Sequence, residues 1–443
     1  MTPPESLAGK CGRVSHPMKR CPGEIALKRF VTLGAESCVI ALLLAVLVGC
    51  SSDSDKVRKP PPTVTPADVA WQRPQTAISQ DAPIVRLTGM MRLHQHTVND
   101  VAFSASGTRL ASVGADNTTV VWNLANGEAL FVLSDSDGRR VFFGPRDETL
   151  ITVSQNGLAR VWSMKMSPPR ELQELTHFAG HDAAVGSVTQ SPDLTLLAFG
   201  AENGGVRLWR IPEGEEIADI DAHPDVVQFL TFSPDGKLLA SISLTRGLRV
   251  WSVPDGALVY DLGHEEAEGN PLIPLRAAFS PDSGWLAVAN QTGIQLWDMK
   301  TGGLVYFVEA AQNAASSRLV YSPNGNLLVG CGAQPLIGVW ETISGKQLGL
   351  LPLPGQYCAN VAFSPDSTLL LTLPMPGRDL YLWNILHITD DVPPEKKMLD
   401  RADRATMGLL PGTRFFDFAW SEDGRFIVVV DELGPIYVLT AAT

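Results

Sequence analysis

Charge is scarce in this chain. Asp, Glu, Lys and Arg together make up 19% of the 443 residues while 45% are hydrophobic, a balance that excludes a disordered protein and implies a sizeable core. The 35 Lys and Arg are outnumbered by 47 Asp and Glu, giving a net charge of -12 with no basic stripe. Nucleic acid is therefore not an expected partner. Common catalytic signatures are missing as well. Gly236-Lys237 and Gly345-Lys346 are followed by Leu and Gln rather than Ser or Thr, so there is no phosphate loop, and neither HExxH nor GxSxG occurs. The apolar stretch from Cys38 to Gly49 stops well short of the roughly 20 residues that a spanning helix needs. What the chain does have is 39 Gly and 32 Pro, enough to punctuate many short elements and to favour an all-β fold.

Lys19, Arg20, Lys28 and Arg29 precede the run CVIALLLAVLVG at 38, the charged-then-apolar order of a secretory signal. The run ends in Leu47-Val48-Gly49-Cys50, followed by Ser51-Ser52-Asp53, which resembles the lipobox of bacterial lipoproteins. That resemblance implies a signal peptide over residues 1–49, cleavage before Cys50 and two or three acyl chains, such as palmitate, on that cysteine. Ser51 after the cysteine implies the outer membrane, and Met18 is the expected initiator. Six basic and three acidic residues leave with the leader, so the mature charge is expected to be -15. Residues 50–82, polar and Pro-rich, read as a lipidated tether ahead of a globular unit over 83–443. Cys11, Cys21 and Cys38 also leave with the leader, so Cys331 and Cys358 allow one disulfide at most; two separate buried thiols are the favoured expectation.

A repeat of about 43 residues organises the rest. An apolar strand runs into a turn eight times: VAFSASG at 101, FFGPRD at 142, TQSPDL at 189, TFSPDG at 231, AFSPDS at 278, VYSPNG at 320, AFSPDS at 362 and AWSEDG at 419. A second apolar stretch follows each, then a third ending in Trp122, Trp162, Trp209, Trp251, Trp297, Trp340 and Trp383, with Leu439 near that position in the eighth copy. Four strand-length stretches per repeat describe a β-propeller blade. His94, His181 and His223 each stand nine residues before Phe103, Gln190 and Phe232, and His264 is a displaced fourth copy.

In these features the chain resembles the WD-repeat β-propeller family, whose repeat runs from Gly-His to Trp-Asp; only Trp297-Asp298 keeps the second pair, and only Gly180-His181 and Gly263-His264 the first. The resemblance implies eight four-stranded blades, or seven if the weak second repeat or the eighth fails to form one. The segment APIVRLTGMMRL at 82 aligns with a fourth strand, so Ile84 to Leu93 is expected to complete the last blade and close the ring. The family's His-Asp-Ser-Trp hydrogen-bond set is matched only by His94, Asp116, Ser112 and Trp122; the aspartate position elsewhere holds Asn156, Asn203, Thr245 or Gln291. The repeated histidines and tryptophans read as structural, and Asp193, Asp235, Asp282 and Asp366 as turn residues. No metal, cofactor or catalytic group is expected, nor any phased set of polar groups at the channel mouth.

Function is expected in the irregular parts. These are the acidic-then-apolar EEAEGNPLIP after His264, the segment 385–414 with EKKMLDRADR, and the connections leading into first strands, where Arg139, Arg140, Asp182, Asp225, Tyr357 and Arg414 are the candidate protein-binding residues of the top face. The expected role is a membrane-anchored, non-enzymatic scaffold of the cell envelope that binds another envelope protein or a peptide segment. The alternatives are an assembly factor for outer-membrane proteins and an enzyme or ligand-binding propeller acting at the central channel.

Overall fold

In the computed structural model of the chain, the structure describes residues 85–134, 138–154, 157–165, 170–175, 185–243, 247–262, 274–290, 293–309, 318–332, 334–375, 379–385, 388, 404–408 and 414–441. All of these lie in the compact unit from Pro61 to Thr443. The signal segment, Cys50, the tether, His181, Asp182, His264 and the charged segment at 395 lie outside the described residues.

The described chain forms eight four-stranded antiparallel sheets, each following sequence order except the last. The first blade is Val98–Phe103, Arg109–Gly114, Thr118–Asn123 and Ala129–Ser134. The second repeat, weak in sequence, builds a complete sheet, from Gly138–Phe143 to Arg170–Leu175. In the eighth sheet Phe415–Trp420, Phe426–Asp431 and Ile436–Ala441 are completed by the amino-terminal strand Val85–Met91, with Val85 opposite Ala441 and Met91 opposite Ile436. The fold is an all-β propeller of eight blades. Joining the two ends in one sheet leaves no free edge at the seam.

The second and third strands carry apolar residues on both faces because each sheet is sandwiched between two others. Thr149–Ser154 is buried at every position. Alternate residues serve opposite interfaces: Leu110 packs with Val428 and Val438 of the eighth blade, while Ala111 and Val113 pack with Val141 and Phe143 of the second. Eight hydrophobic layers result, one per interface. Each third-strand tryptophan enters the layer shared with the preceding blade, as Trp122 does between the eighth blade and the first. Leu439 holds that position in the eighth blade, opposite Ile427 as Trp122 is opposite Leu110.

The end of the ring where first and second strands meet is tied by the Ser-Pro turns. In the turn at 233, Ser233 Oγ donates to Asp235 at 2.6 Å and accepts from the Leu238 amide at 2.9 Å. The same turn bonds outward, Asp235 N donating to Ser283 Oγ of the next blade at 3.0 Å. Asn324 N reaches Ser367 Oγ in the same way. Burial tends to raise the carboxyls of Asp193, Asp235 and Asp366, but these hydrogen bonds hold them below the ordinary carboxylate range.

Cys331 ends the second strand of the sixth blade, Cys358 lies at the start of the seventh, and the two form a disulfide with Cα atoms 5.7 Å apart. This corrects the expectation of two separate thiols. The 27-residue separation does not advertise the contact, because it joins a second strand to the neighbouring first strand across the apolar layer that both cysteines share.

Candidate functional site

The first strand of seven blades carries a bulge near its start, as at Val98/Asp100, Gly138/Arg140 and Pro274/Arg276. A bulge re-aims the residue that follows it. First strands of neighbouring blades pack side by side around the axis, and the residue after the bulge stands three positions before the strand-ending side chain, as does its equivalent in the sixth blade. Around the ring this position holds Asp100, Arg140, Ser187 and Phe229, then Arg276, Arg318, Asn360 and Asp417. A cavity of about 550 Å³ at the channel is lined by Arg140, Ser187, Phe229, Arg276 and Arg318 of this set, together with Arg139. That is a phased polar set, and it corrects the expectation that none exists.

The ring is electrically lopsided. On the acidic side Asp100 accepts the Val141 amide of the next blade at 2.9 Å and faces Arg140 Nε at 3.6 Å. Burial pushes the Asp100 carboxyl up to about 6, against the pull of Arg140 and the Val141 amide. Asp417 accepts the side-chain amide of Asn360 at 2.5 Å. On the far side Arg276 and Arg318 occupy consecutive blades. Arg276 donates to the Leu275 carbonyl at 2.7 Å and lies over the Phe229 ring, 5.5 Å from its centroid. Burial and the adjacent Arg318 charge both lower its hold on its proton. Arg318 pairs with Cys331 in the sixth blade's sheet, and among the described residues its side chain makes no ion pair or hydrogen bond.

The candidate top-face residues divide. Asp225 lies in the connection before its strand and Arg414 immediately before its own, where Arg414 N donates to Asp431 Oδ2 at 3.1 Å and its guanidinium is 3.8 Å from Glu432. Arg139 and Arg140 do not lie in a connection: both are inside the strand Gly138–Phe143 and line the channel cavity. Tyr357 is the first residue of Tyr357–Phe363 and 41% exposed. Asp182 is outside the described residues.

In the first blade His94, Ser112, Asp116 and Trp122 form one hydrogen-bonded set. His94 Nε2 is 2.7 Å from Ser112 Oγ, which accepts the Trp122 indole N–H at 2.8 Å; His94 Nδ1 is 3.1 Å from Asp116. Burial favours the neutral Asp116 carboxyl, but His94, Thr118 and the Gln95 amide outweigh it and hold the group well below the ordinary range. The fourth blade keeps three of these members and lacks the aspartate, so the complete set belongs to the first blade while a reduced one forms here. His223 Nε2 is 2.7 Å from Ser241 Oγ, which accepts from Trp251 at 2.8 Å. There Arg249, bonded to Asp261 at 2.9 Å, adds its charge; burial and that cation together lower His223 to about 4, against the pull of Asp225 and Asp261.

Among the described residues no group of His, Cys, Asp and Glu is arranged to hold a metal, and no helix is long and apolar enough to cross a membrane. Three segments match the family model described as WD domain, G-beta repeat: 86–123, 172–210 and 214–252. The first of them runs from the closing strand through the third strand of the first blade. A 127-residue stretch is 33% identical to human apoptotic protease-activating factor 1, covering 28% of this chain and 10% of that protein. Mouse transducin beta-like protein 2 is 22% identical over 262 residues, 58% of this chain and 49% of its own length. Rice small ribosomal subunit protein RACK1y is 27% identical over 121 residues, 27% of this chain and 36% of that one. The chain thus spans half or less of each of these relatives. A crystal structure of the computationally designed Ika8 protein superposes with a TM-score of 0.61 at 20% identity, covering 78% of this chain and 97% of its own. Fold and repeat together define a WD-repeat β-propeller with eight four-stranded blades.

Proposed function

We propose that the protein is a lipid-anchored, non-enzymatic interaction scaffold of the bacterial envelope, its propeller held off the outer membrane by the segment after Cys50 and facing the periplasm. The Cys331–Cys358 disulfide carries this reading, because such bonds persist in oxidising compartments and are rare in the cytosol. The leader and lipobox supply the address, and the closed ring supplies a rigid frame for Asp225, Tyr357 and Arg414 at one end. A partner protein or an extended peptide of the envelope docks there. Labelling cells with an alkyne fatty acid, then crosslinking and identifying captured proteins, tests both halves with the wild type beside Cys50→Ser. A labelled wild type that captures one stoichiometric partner, with neither label nor partner in Cys50→Ser, is expected. An unlabelled wild type would remove the anchor, and equal capture by both forms would separate binding from anchoring.

A further inference from the structure

We propose that the protein self-associates through the outer rim of its fourth, fifth and sixth blades, the strand Leu304–Glu309 of one copy pairing edge to edge with the same strand of a second copy. The inference rests on the outer strands alone and is independent of the scaffold reading. Leu304–Glu309 is the last strand of the fifth blade's sheet, so one row of its backbone N–H and C=O groups has no strand beside it among the described residues. Natural sheets guard such edges with charge or proline. The outer strand of the third blade, Glu215–Asp221, carries Glu215, Glu216, Asp219 and Asp221, and that of the fourth, Leu258–Asp261, ends in an aspartate bonded to Arg249. The fifth blade's strand reads LVYFV before its last residue, with neither charge nor proline, and Leu304, Val305 and Phe307 are all exposed. Its bulge falls between Leu304 and Tyr306, and beyond it the strand runs in regular register from Tyr306 to Glu309.

The edge sits in a continuous apolar belt. Tyr260, on the fourth blade's outer strand, donates its hydroxyl to the Met299 carbonyl at 3.2 Å, in the turn that leads into Leu304. Tyr306 donates in the same way to the Thr342 carbonyl at 2.7 Å, beside Ile343 in the corresponding turn of the sixth blade. These bonds set the exposed Leu258 and Val259 on one side of the edge and Ile343, 84% exposed, on the other. The six apolar side chains offer roughly 500 Å² of surface, a size at which a patch on a monomer is often functional. Two copies meeting there bury about 1,000 Å² of it, the threshold of a specific interface, before the strand backbones and the polar surroundings are counted. A single peptide strand laid on the edge would leave Leu258 and Ile343 uncovered on the neighbouring blades, so the belt fits a surface of its own width. The described chain begins on the eighth blade, at Val85, so the segment leading back to Cys50 joins the ring away from this belt.

Sedimentation equilibrium of the purified full chain in density-matched detergent tests the pairing. A dimer with a dissociation constant in the micromolar range is expected. Val305→Lys and Phe307→Lys should each raise that constant at least about 10-fold, because a charge on the edge loses its water when the strands meet. Val132→Lys is the control: Val132 is exposed on Ala129–Ser134, the outer strand of the first blade, which is equally free of charge but lies outside the belt, and its replacement should leave the dimer unchanged. Thermal melts of the variants check that the ring is intact. A monomeric wild type, a dimer that persists in folded Val305→Lys and Phe307→Lys, or an equal loss in Val132→Lys would each overturn the proposal.

Discussion

Replacing His223 by Gln should change how stability depends on pH far more than it changes stability at pH 7. His223 is 2% exposed, and burial with the Arg249 charge lowers it to about 4, although Asp225 and Asp261 pull the other way. An unfolded histidine takes a proton near 6.5. Between these values the unfolded chain binds a proton that the folded chain refuses, so stability is lost as pH falls from about 6.5 toward 4. From pH 7 to pH 5 the loss works out at about 2 kcal/mol.

Asp100 opposes it. Its carboxyl is raised to about 6, so in the same window the folded state takes up a proton that the unfolded state does not, and stability rises by about 1 kcal/mol. Asp116 is held below the ordinary range; the stability it contributes is present above pH 4 and lost only at lower pH, outside this window. The wild type should therefore change little between pH 7 and pH 5 at these two sites. His223→Gln should gain about 1 kcal/mol on acidification relative to its value at pH 7, and Asp100→Asn should lose about 2 kcal/mol. Urea denaturation of the three proteins at half-unit pH steps measures this. Parallel pH profiles for wild type and His223→Gln would refute the assignment of a depressed buried histidine.

The tryptophans separate in the same assay. The indole N–H of Trp122 is bonded to Ser112, whereas that of Trp297 is buried without a partner, Val288 standing where Ser112 does; Trp122→Phe should cost about 1 kcal/mol more than Trp297→Phe. Removing the disulfide with Cys331→Ser and Cys358→Ser should lower the unfolding free energy by about 3–4 kcal/mol on the chain-entropy account of a loop this size, and dithiothreitol should reproduce the loss in the wild type but not in the double variant. Two glycines gauge backbone against space. Gly236 has φ +70 and open space within 4 Å of where an added methyl would sit, so Gly236→Ala should cost roughly 1 kcal/mol; at Gly204 the methyl would run into the His223 carbonyl oxygen, and Gly204→Ala should cost roughly 3 kcal/mol or more.

The blades were legible in the sequence because the repeat states its constraints locally. A Ser-Pro turn, an aromatic strand end and a tryptophan recur in phase, and each marks a place where neighbouring blades touch. The closing strand was legible for the same reason, since Val85–Met91 looked like a fourth strand without its first three. The channel was not. Gly138, Arg139 and Arg140 follow Asp135, Ser136 and Asp137 in a stretch that reads as a turn, yet the strand begins at Gly138 and its bulge carries Arg140 to the channel. The signal was present: counting three residues back from each strand-ending side chain gives the whole ring. It was hidden because no one residue type marks the position: Arg holds it in three blades, Asp in two, and Ser, Phe and Asn in one each. The disulfide was hidden by a different geometry, since neighbours in adjacent blades need not be one repeat apart.

That lack of one shared residue type is itself informative. Positions facing a neighbouring blade are held to apolar residues by the layer they fill, and the turn positions by the bonds they make to the next blade. The position after the bulge lies outside those apolar layers, and its charge changes sign around the ring, from Asp100 to Arg140 and from Arg318 to Asp417. The fourth blade makes the same point from within the core, where a histidine in the place of His94 feels Arg249 more strongly than Asp225 and Asp261. One backbone position thus carries opposite electrostatics in different blades, and the polarity of the channel is a property of this sequence that the propeller fold does not impose.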